Sequence, residues 1–359
     1  MNEVTTYEPQ SQFSPSPETA RIGDVETSPP REASAIGDSA TGISATGGSM
    51  AGVSVQSDSA AWLFPGLGCR YVGMGYDLIG RFATADNLIS AAQSRLAFNI
   101  IEVCLEGSGR KYVPARQEAQ VIYVLDCAYA AVLRERGCNP RIIAGHSLGN
   151  LAACFAAGAY DFLTGLELVT RVEDLMEELI DGRDQAMGVV IGLDDRAIRD
   201  LLQAVPGTFL ANWNSPLQYV VGGFATDVDR VLRMALECGA KQAKRFITER
   251  AIHTPLMADV AARFSETLAT VNWNDLRTPL VNSQTATVLR TAAEIRHFLG
   301  GFLSQPVHWQ ATVQAILSGW GRQFVEVGPG NLLTSMLPFI ESTATARTAS
   351  DVLDQKVQL

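Results

Sequence analysis

The stretch AGHSLGNLAA at residues 144–153 sets Ser147 between two glycines, after the apolar run RIIA and before a run of small residues. A GxSxG segment between a strand and a helix is the pattern of a nucleophile elbow. Gly145 and Gly149 remove side chains where the turn packs tightly, and Ser147 then stands at a helix N-terminus. The free N–H groups and the dipole there favour developing negative charge, and the N–H of Leu148 is a natural oxyanion donor. A glycine-bounded turn with an idle serine is the plainer alternative. Ala152, Ala153 and Cys154, which allow close helix–sheet packing, favour the chemical one.

A serine nucleophile needs a base, and the chain has four histidines. His146 precedes the serine on a sharp elbow, so its ring should point elsewhere and support the turn. His297, in EIRHFLGG, is expected on a helix surface, and His308, in QPVHW, is expected to pack just inside a helix. His253, in ITERAIHTPLM, lies on a loop between domains, where a histidine can face a cleft.

Other features are weaker. GLGCRYVGMG lacks the GK[ST] ending of a phosphate loop, and Tyr71 stands where GxGxxG needs its third glycine. The six cysteines form no CxxC pair and none has a histidine at zinc-ligand spacing, so reduced thiols and no metal site are expected. Lys241, Lys244 and Arg245 cluster in AKQAKRF. A solvated helix end explains them, and docking of an acidic partner is the functional alternative. Trp213 and Trp309 are expected in the core.

Residues 1–59 hold eleven serines, five prolines and no lysine, tryptophan or cysteine, and eight acidic side chains against Arg21 and Arg31 leave a charge of −6. Such a segment buries too little apolar surface to offset its ordering entropy, so a disordered tail is expected. The whole chain carries −10 with 47% hydrophobic residues. That argues against nucleic acid as partner and supports a large core. MNEVTTYEPQ has no apolar h-region, and no run of about 18 apolar residues occurs. A cytoplasmic protein with no membrane partner is the expectation.

Apolar patterning predicts strands at 60–64 and 141–144 and helices at 77–105, 118–137, 148–158 and 161–180. From 184 the order becomes β-α-β-β-α-β, a ferredoxin-like unit. Helix 255–270, the apolar 279–283, helices 292–303 and 308–319 and strand 323–328 follow. The expected domains are a large α/β unit over 60–183 and 249–340, an inserted ferredoxin-like unit over 184–248, and a C-terminal tail over 341–359.

Six blocks occur in a fixed order: LFPGLGCRYVGMGYDL, AGHSLGNLAA, ANWNSPLQYVVGG, AIHTPLM, QPVHW and FVEVGPGNLL. Together they resemble the malonyl-CoA:acyl carrier protein transacylase family, which includes the acyltransferase domains of fatty acid and polyketide synthases, over about 60–335. The resemblance implies an α/β-hydrolase-like large domain with an inserted ferredoxin-like small domain. It implies a dyad of Ser147 and His253, with a backbone carbonyl near Phe302 orienting the histidine in place of a triad aspartate. It places the oxyanion donors at the backbone N–H groups of Leu67 and Leu148, each worth roughly 100–1000-fold by analogy with serine hydrolases. It also implies acyl-CoA or acyl-phosphopantetheine substrates, an acidic acyl carrier protein as partner and no bound cofactor. A monomer is expected.

Several positions depart from the family pattern, among them Asn150, which replaces a common glutamate after GHSxG and has no account from the sequence. Leu67 replaces the glutamine of GQG. Malonyl-type members carry an arginine 25 residues after the serine, in a pattern like LVxxRG, where it meets the substrate carboxylate; here Val172 and Glu173 fill those places, with Arg171 one residue early. One residue is about 100° of helix rotation, so Arg171 should aim elsewhere unless the helix shifts. Ile252 stands where malonyl-selective members have phenylalanine and methylmalonyl-selective ones serine. Removing one partner of a buried charge pair costs about 3–5 kcal/mol, so the expected activity is transfer of a neutral, non-malonyl acyl group to a carrier protein through an acyl-serine. The alternatives are a malonyl transacylase clamped by Arg171, an acyl-carrier-protein thioester hydrolase acting in proofreading, and a non-catalytic carrier-protein scaffold.

Overall fold

The computed structural model describes residues 60–106, 113–180, 182–248 and 250–354. The segment expected to be a tail, 1–59, lies outside the described residues.

Two sheets organise the chain. The larger has six strands in the order β10-β9-β1-β2-β7-β8. They are β1 (Ala61–Phe64), β2 (Ile142–Gly145), β7 (Leu280–Val281), β8 (Val288–Leu289), β9 (Gln323–Glu326) and β10 (Thr345–Thr348). All neighbours run parallel except the β7–β8 pair. β1 and β2 are buried along their whole length, which is why AWLF and IIAG are continuous apolar runs without alternation. Helices cover both faces: α1 (Ala83–Gln93), α2 (Ala115–Glu135), α3 (Gly149–Ala157) and α4 (Phe162–Leu179) pack into one apolar cluster with α7 (Ala258–Leu268) and α8 (Ala292–Gly301). The opposite face is closed by α9 (Trp309–Gly319) and α10 (Leu332–Ile340). This is the α/β-hydrolase-like layer arrangement.

The second sheet is antiparallel, in the order β4-β5-β3-β6, with β3 (Gln185–Ile191), β4 (Thr208–Ser215), β5 (Gln218–Phe224) and β6 (Gln242–Arg245). With α5 (Asp195–Ala204) and α6 (Ala225–Glu237) it makes the ferredoxin-like unit. Its helices bury Ile198, Leu201, Val228, Val231 and Leu232 against one face of the sheet. The Asp194 carboxylate caps α5 at the N–H of Ala197, 2.9 Å away. On the other face Ile252 packs against Met187, Ala211 and Val220. The main chain ties the two sheets: Trp213 N–H donates to Val307 O (2.8 Å) and Val307 N–H to Ala211 O (2.9 Å).

Two expectations are corrected. The stretch 341–359 is no tail as far as 354: β10 pairs with β9, and α11 (Ala349–Asp354) follows it. TARTAS reads as a tail because an edge strand needs little apolar surface. The helix expected over 77–105 forms only at α1, with a π-helical turn at Glu102–Glu106. Gly80 at φ +73 ends the preceding turns and Asn99 caps the next one with its side chain. No helix among the described residues is long and apolar enough to cross a membrane.

Glu326 explains part of FVEVGPGNLL. It is fully buried at the end of β9, and its carboxylate accepts from the N–H groups of Leu333 (3.0 Å) and Thr334 (2.7 Å). It thereby caps α10, whose N-cap Asn331 makes no side-chain cap. Burial raises its pKa and these bonds oppose the rise. Glu326→Ala is expected to cost about 2–4 kcal/mol, since one buried and one part-buried backbone donor lose their acceptor. Urea unfolding measures this, and a loss below about 1 kcal/mol would mean that another group takes over the cap.

Candidate active site

β1 and β2 are adjacent and parallel, with Phe64 in register with Gly145. Their carboxyl ends therefore release two loops side by side, Pro65–Leu67 and His146–Leu148, at the edge where open α/β sheets build sites. His146 N–H donates to Phe64 O at 2.9 Å and locks the two exits together. The glycines are required by contact. A Cβ at Gly149 would strike the carbonyls of Phe64 and Pro65, and one at Gly66 would lie 2.6 Å from His146 O and 3.3 Å from Leu148 N. The Gly66–Leu67 loop thus lies against the serine elbow, and the two expected oxyanion N–H groups belong to touching loops.

Ser147 has φ +54 and His253 has φ +65, both in the left-handed region. Side-chain-bearing residues stay there only when their surroundings over-determine the backbone. Ser147 Oγ lies 2.7 Å from His253 Nε2, although 106 residues separate them in the chain. The other ring nitrogen, Nδ1, lies 2.8 Å from Phe302 O, so its N–H donates to that carbonyl and leaves Nε2 to accept from the serine. His253 N–H donates to Leu303 O at 2.7 Å, so the 302–303 segment holds both the backbone and the ring. Burial lowers the His253 pKa to about 4, with the Phe302 carbonyl raising it, His146 lowering it and the Gln305 carbonyl raising it.

Of the remaining histidines, His146 and His297 fall where the sequence places them, and His308 stands just outside its helix. His146 is buried, with Nε2 3.0 Å from Asn214 Oδ1 and its ring edge-on to Trp309 at 5.2 Å. It links the elbow to β4. His297 is exposed on α8, and His308 is the residue before α9, its N–H donating to Ser283 O.

Leu67 is half-buried against the main core and Val172 is 4% exposed on α4. Arg171, one position earlier, pairs with Glu178 at 3.4 Å. It lines a cavity of about 590 Å³ between α4 and the ends of α1 and α2, together with Arg95, Phe98, Arg116 and Leu163. Lys241 and Lys244 are exposed, Lys241 just before the edge strand β6 and Lys244 on it, and Arg245 pairs with Asp229 at 3.1 Å. They sit at a sheet edge and not at a helix end. All six cysteines are free thiols and only Cys238 is exposed.

Sequence reasoning gave no role to Asn150. It is buried, and its amide donates to Ser147 O (2.9 Å) and to Ser283 Oγ (3.2 Å), fastening the carbonyl of the strained serine. Its place three residues after the serine, in the first turn of a helix, was the available signal.

The acyl transferase domain model matches residues 61–352. The malonyl CoA-acyl carrier protein transacylase of Synechocystis is 30% identical over 276 residues, 77% of this chain and 92% of that protein. A polyketide-biosynthesis malonyl CoA-acyl carrier protein transacylase of Bacillus velezensis is 30% identical, with 80% and 99% covered. Among solved structures, a malonyl-transacylase in complex with a type II PKS acyl-carrier protein superimposes with a TM-score of 0.76 at 30% identity, over 82% of this chain and 98% of that one.

Ser147→Ala is expected to abolish any acyl-enzyme seen by intact mass while leaving the fold unchanged. His253→Ala should slow acylation by about 100–10,000-fold, whereas His297→Ala should stay within about twofold, as surface substitutions do. Equal losses at the two histidines would remove His253 as the base. A histidine acts as a base in its neutral form, which protonation removes. Acylation should therefore hold as pH falls through 6.5 and decline only near about 4. Single-turnover rates across pH 3.5–8, a range set by about the ordinary histidine value and this one, would show the midpoint.

Proposed function

We propose that this chain, which belongs to the acyl transferase domain family and is an acyltransferase, carries acyl groups between thioesters on Ser147 and delivers them to the phosphopantetheine thiol of an acyl carrier protein. The observation that carries this reading is the hydrogen-bonded array Ser147 Oγ, His253 imidazole, Phe302 O, with contacts of 2.7 and 2.8 Å.

The chemistry follows from that array. As Ser147 Oγ attacks the thioester carbonyl, its proton passes to His253 Nε2, and Nδ1–H stays on the Phe302 carbonyl, which favours the imidazolium. The oxyanion faces the N–H groups of Leu148 and Leu67. The C–S bond breaks, and the leaving thiolate takes the proton from Nε2. In the second half the carrier thiol gives its proton to Nε2, sulfur attacks the serine ester, and Oγ recovers the proton as the C–O bond breaks. A base buried to a pKa of about 4 is unprotonated at neutral pH at the start of each half. This chemistry calls for no bound cofactor.

The donor we infer is malonyl-CoA, because the relatives are named for malonyl transfer. Those names give no support to the neutral acyl group expected from Leu67 and Val172. One observation keeps a neutral group as the second reading: Val172 is apolar and buried where the family's arginine stands, and Arg171 is turned to Glu178. An acidic carrier protein, a cytoplasmic setting in fatty-acid or polyketide assembly, and a monomeric state complete the proposal. The exposed Lys241 and Lys244 are the candidate docking charges. Hydrolysis, with water replacing the second thiol, uses the same array, and a scaffold role leaves its alignment without a purpose.

The test is competition between equimolar malonyl-CoA and acetyl-CoA, read as acyl-enzyme mass and chased with a holo carrier protein. Malonyl loading should dominate and transfer should outrun hydrolysis. Dominant acetyl loading would install the second reading, and an ester released equally fast without carrier would install hydrolysis. Val172→Arg should raise the malonyl-to-acetyl loading ratio about tenfold or more, the equivalent of about 1.4 kcal/mol. Arg171→Ala should leave it unchanged.

A further inference from the structure

Glu173 follows Val172 on α4, and Arg250 precedes His253 by three residues. Arg250 Nη1 lies 2.6 Å from Glu173 Oε2, with side chains 10% and 4% exposed. Among the described ion pairs it is the most buried; the next, Arg70 with Glu118, is 20% and 22% exposed. Arg250 Nη1 also lies 3.6 Å from Met176 Sδ, one turn further along α4. A buried ion pair adds little net stability over an apolar pair of the same volume, but the planar guanidinium fixes direction as well as distance.

The direction matters because of what comes next in the chain. Ala251 N–H donates to the buried Gln185 Oε1 of β3 at 3.0 Å. Thr254 Oγ1–H donates to Ala251 O at 2.6 Å. His253 N–H reaches Leu303 O, and its backbone stands at φ +65. The segment that carries the base is therefore pinned in turn to α4, to β3 and to the 302–303 segment. Arg250 ties this segment to α4, the helix that also bears Val172, through Glu173 and Met176.

We infer that the Glu173–Arg250 ion pair is a positioning device for the catalytic base, holding the 250–254 segment so that His253 Nε2 meets Ser147 Oγ. The inference rests on the Ser147–His253 reading above. The family-pattern position that lost its glycine to Glu173 thus serves the base.

The test uses the full chain. Glu173→Gln and Arg250→Met each leave one buried charge without this partner and can cost the fold. The decisive variant is the neutral double change Glu173→Leu with Arg250→Met, with Arg250→Lys beside it. Two readings are taken: acylation by malonyl-CoA and acetyl-CoA as kcat and KM, and titration of the His253 ring by NMR, identified through His253→Gln. In the double variant kcat for acylation should fall about 10–100-fold, as a small misplacement of a reacting group does, with KM within about threefold. The ring should titrate above its starting value of about 4 as the loosened segment admits water. Arg250→Lys, which keeps the charge but not the fork, should lose about three- to fivefold, with a smaller shift of the ring titration in the same direction. If the double variant does not fold, the lysine variant decides by the same two readings. An unchanged rate or an unchanged titration in a folded variant overturns the inference. If the unmodified protein forms no acyl ester with either donor, the Ser147–His253 reading falls, and the titration alone still judges whether the pair positions the ring.

Discussion

Two side-chain-bearing residues, Ser147 and His253, stand in a backbone region that sterics reserve for glycine, and the fold has to hold both there at once. The strain at Ser147 is held by the strand–helix exit: Asn150 fastens its carbonyl, and the chain at Gly149 presses against the carbonyls of Phe64 and Pro65. The strain at His253 is held from outside its own segment, by Leu303, Gln185 and the 302 carbonyl. Neither residue could relax into an ordinary conformation without breaking the 2.7 Å contact between them.

The inserted sheet shares this task. One face is closed by its own helices, and the other meets the large domain through Ile252, the neighbour of the base. The main-chain bonds between Ala211, Trp213 and Val307, and the His146–Asn214 contact, fix β4 against the elbow from the opposite side. The small domain therefore acts as a wall that both loops lean on.

The sequence made the serine side of the site legible, because an elbow is local: strand, glycine, serine, glycine and helix lie within about one short window. His253 was legible from its loop position and from a resemblance, since nothing near it in the chain names its partner. The 302 carbonyl has no side-chain signature and came only through that resemblance. Asn150 and Glu326 are caps whose partners lie across a turn or a strand, and Glu173 with Arg250 are 77 residues apart. A charged residue in a helix reads as surface until its partner is seen. β10 escaped for the converse reason, since TART at a sheet edge has no buried face to announce it. The apolar β-α-β-β-α-β rhythm, by contrast, carried the small domain intact, because each of its elements buries one face on its neighbours.

The group that orients the His253 ring is an oxygen of the main chain. A triad aspartate can be lost in one codon, and with it the tautomer it enforced. The carbonyl at 302 is present whatever amino acid is encoded there. Substitution at that site acts only through the path of the chain, so a scan that trims side chains one by one is blind to this part of the machinery. Drift at the nucleotide level cannot delete it either. What remains exposed to inheritance is the shape of the segment, which α8, the proline at 306 and the fold around them maintain.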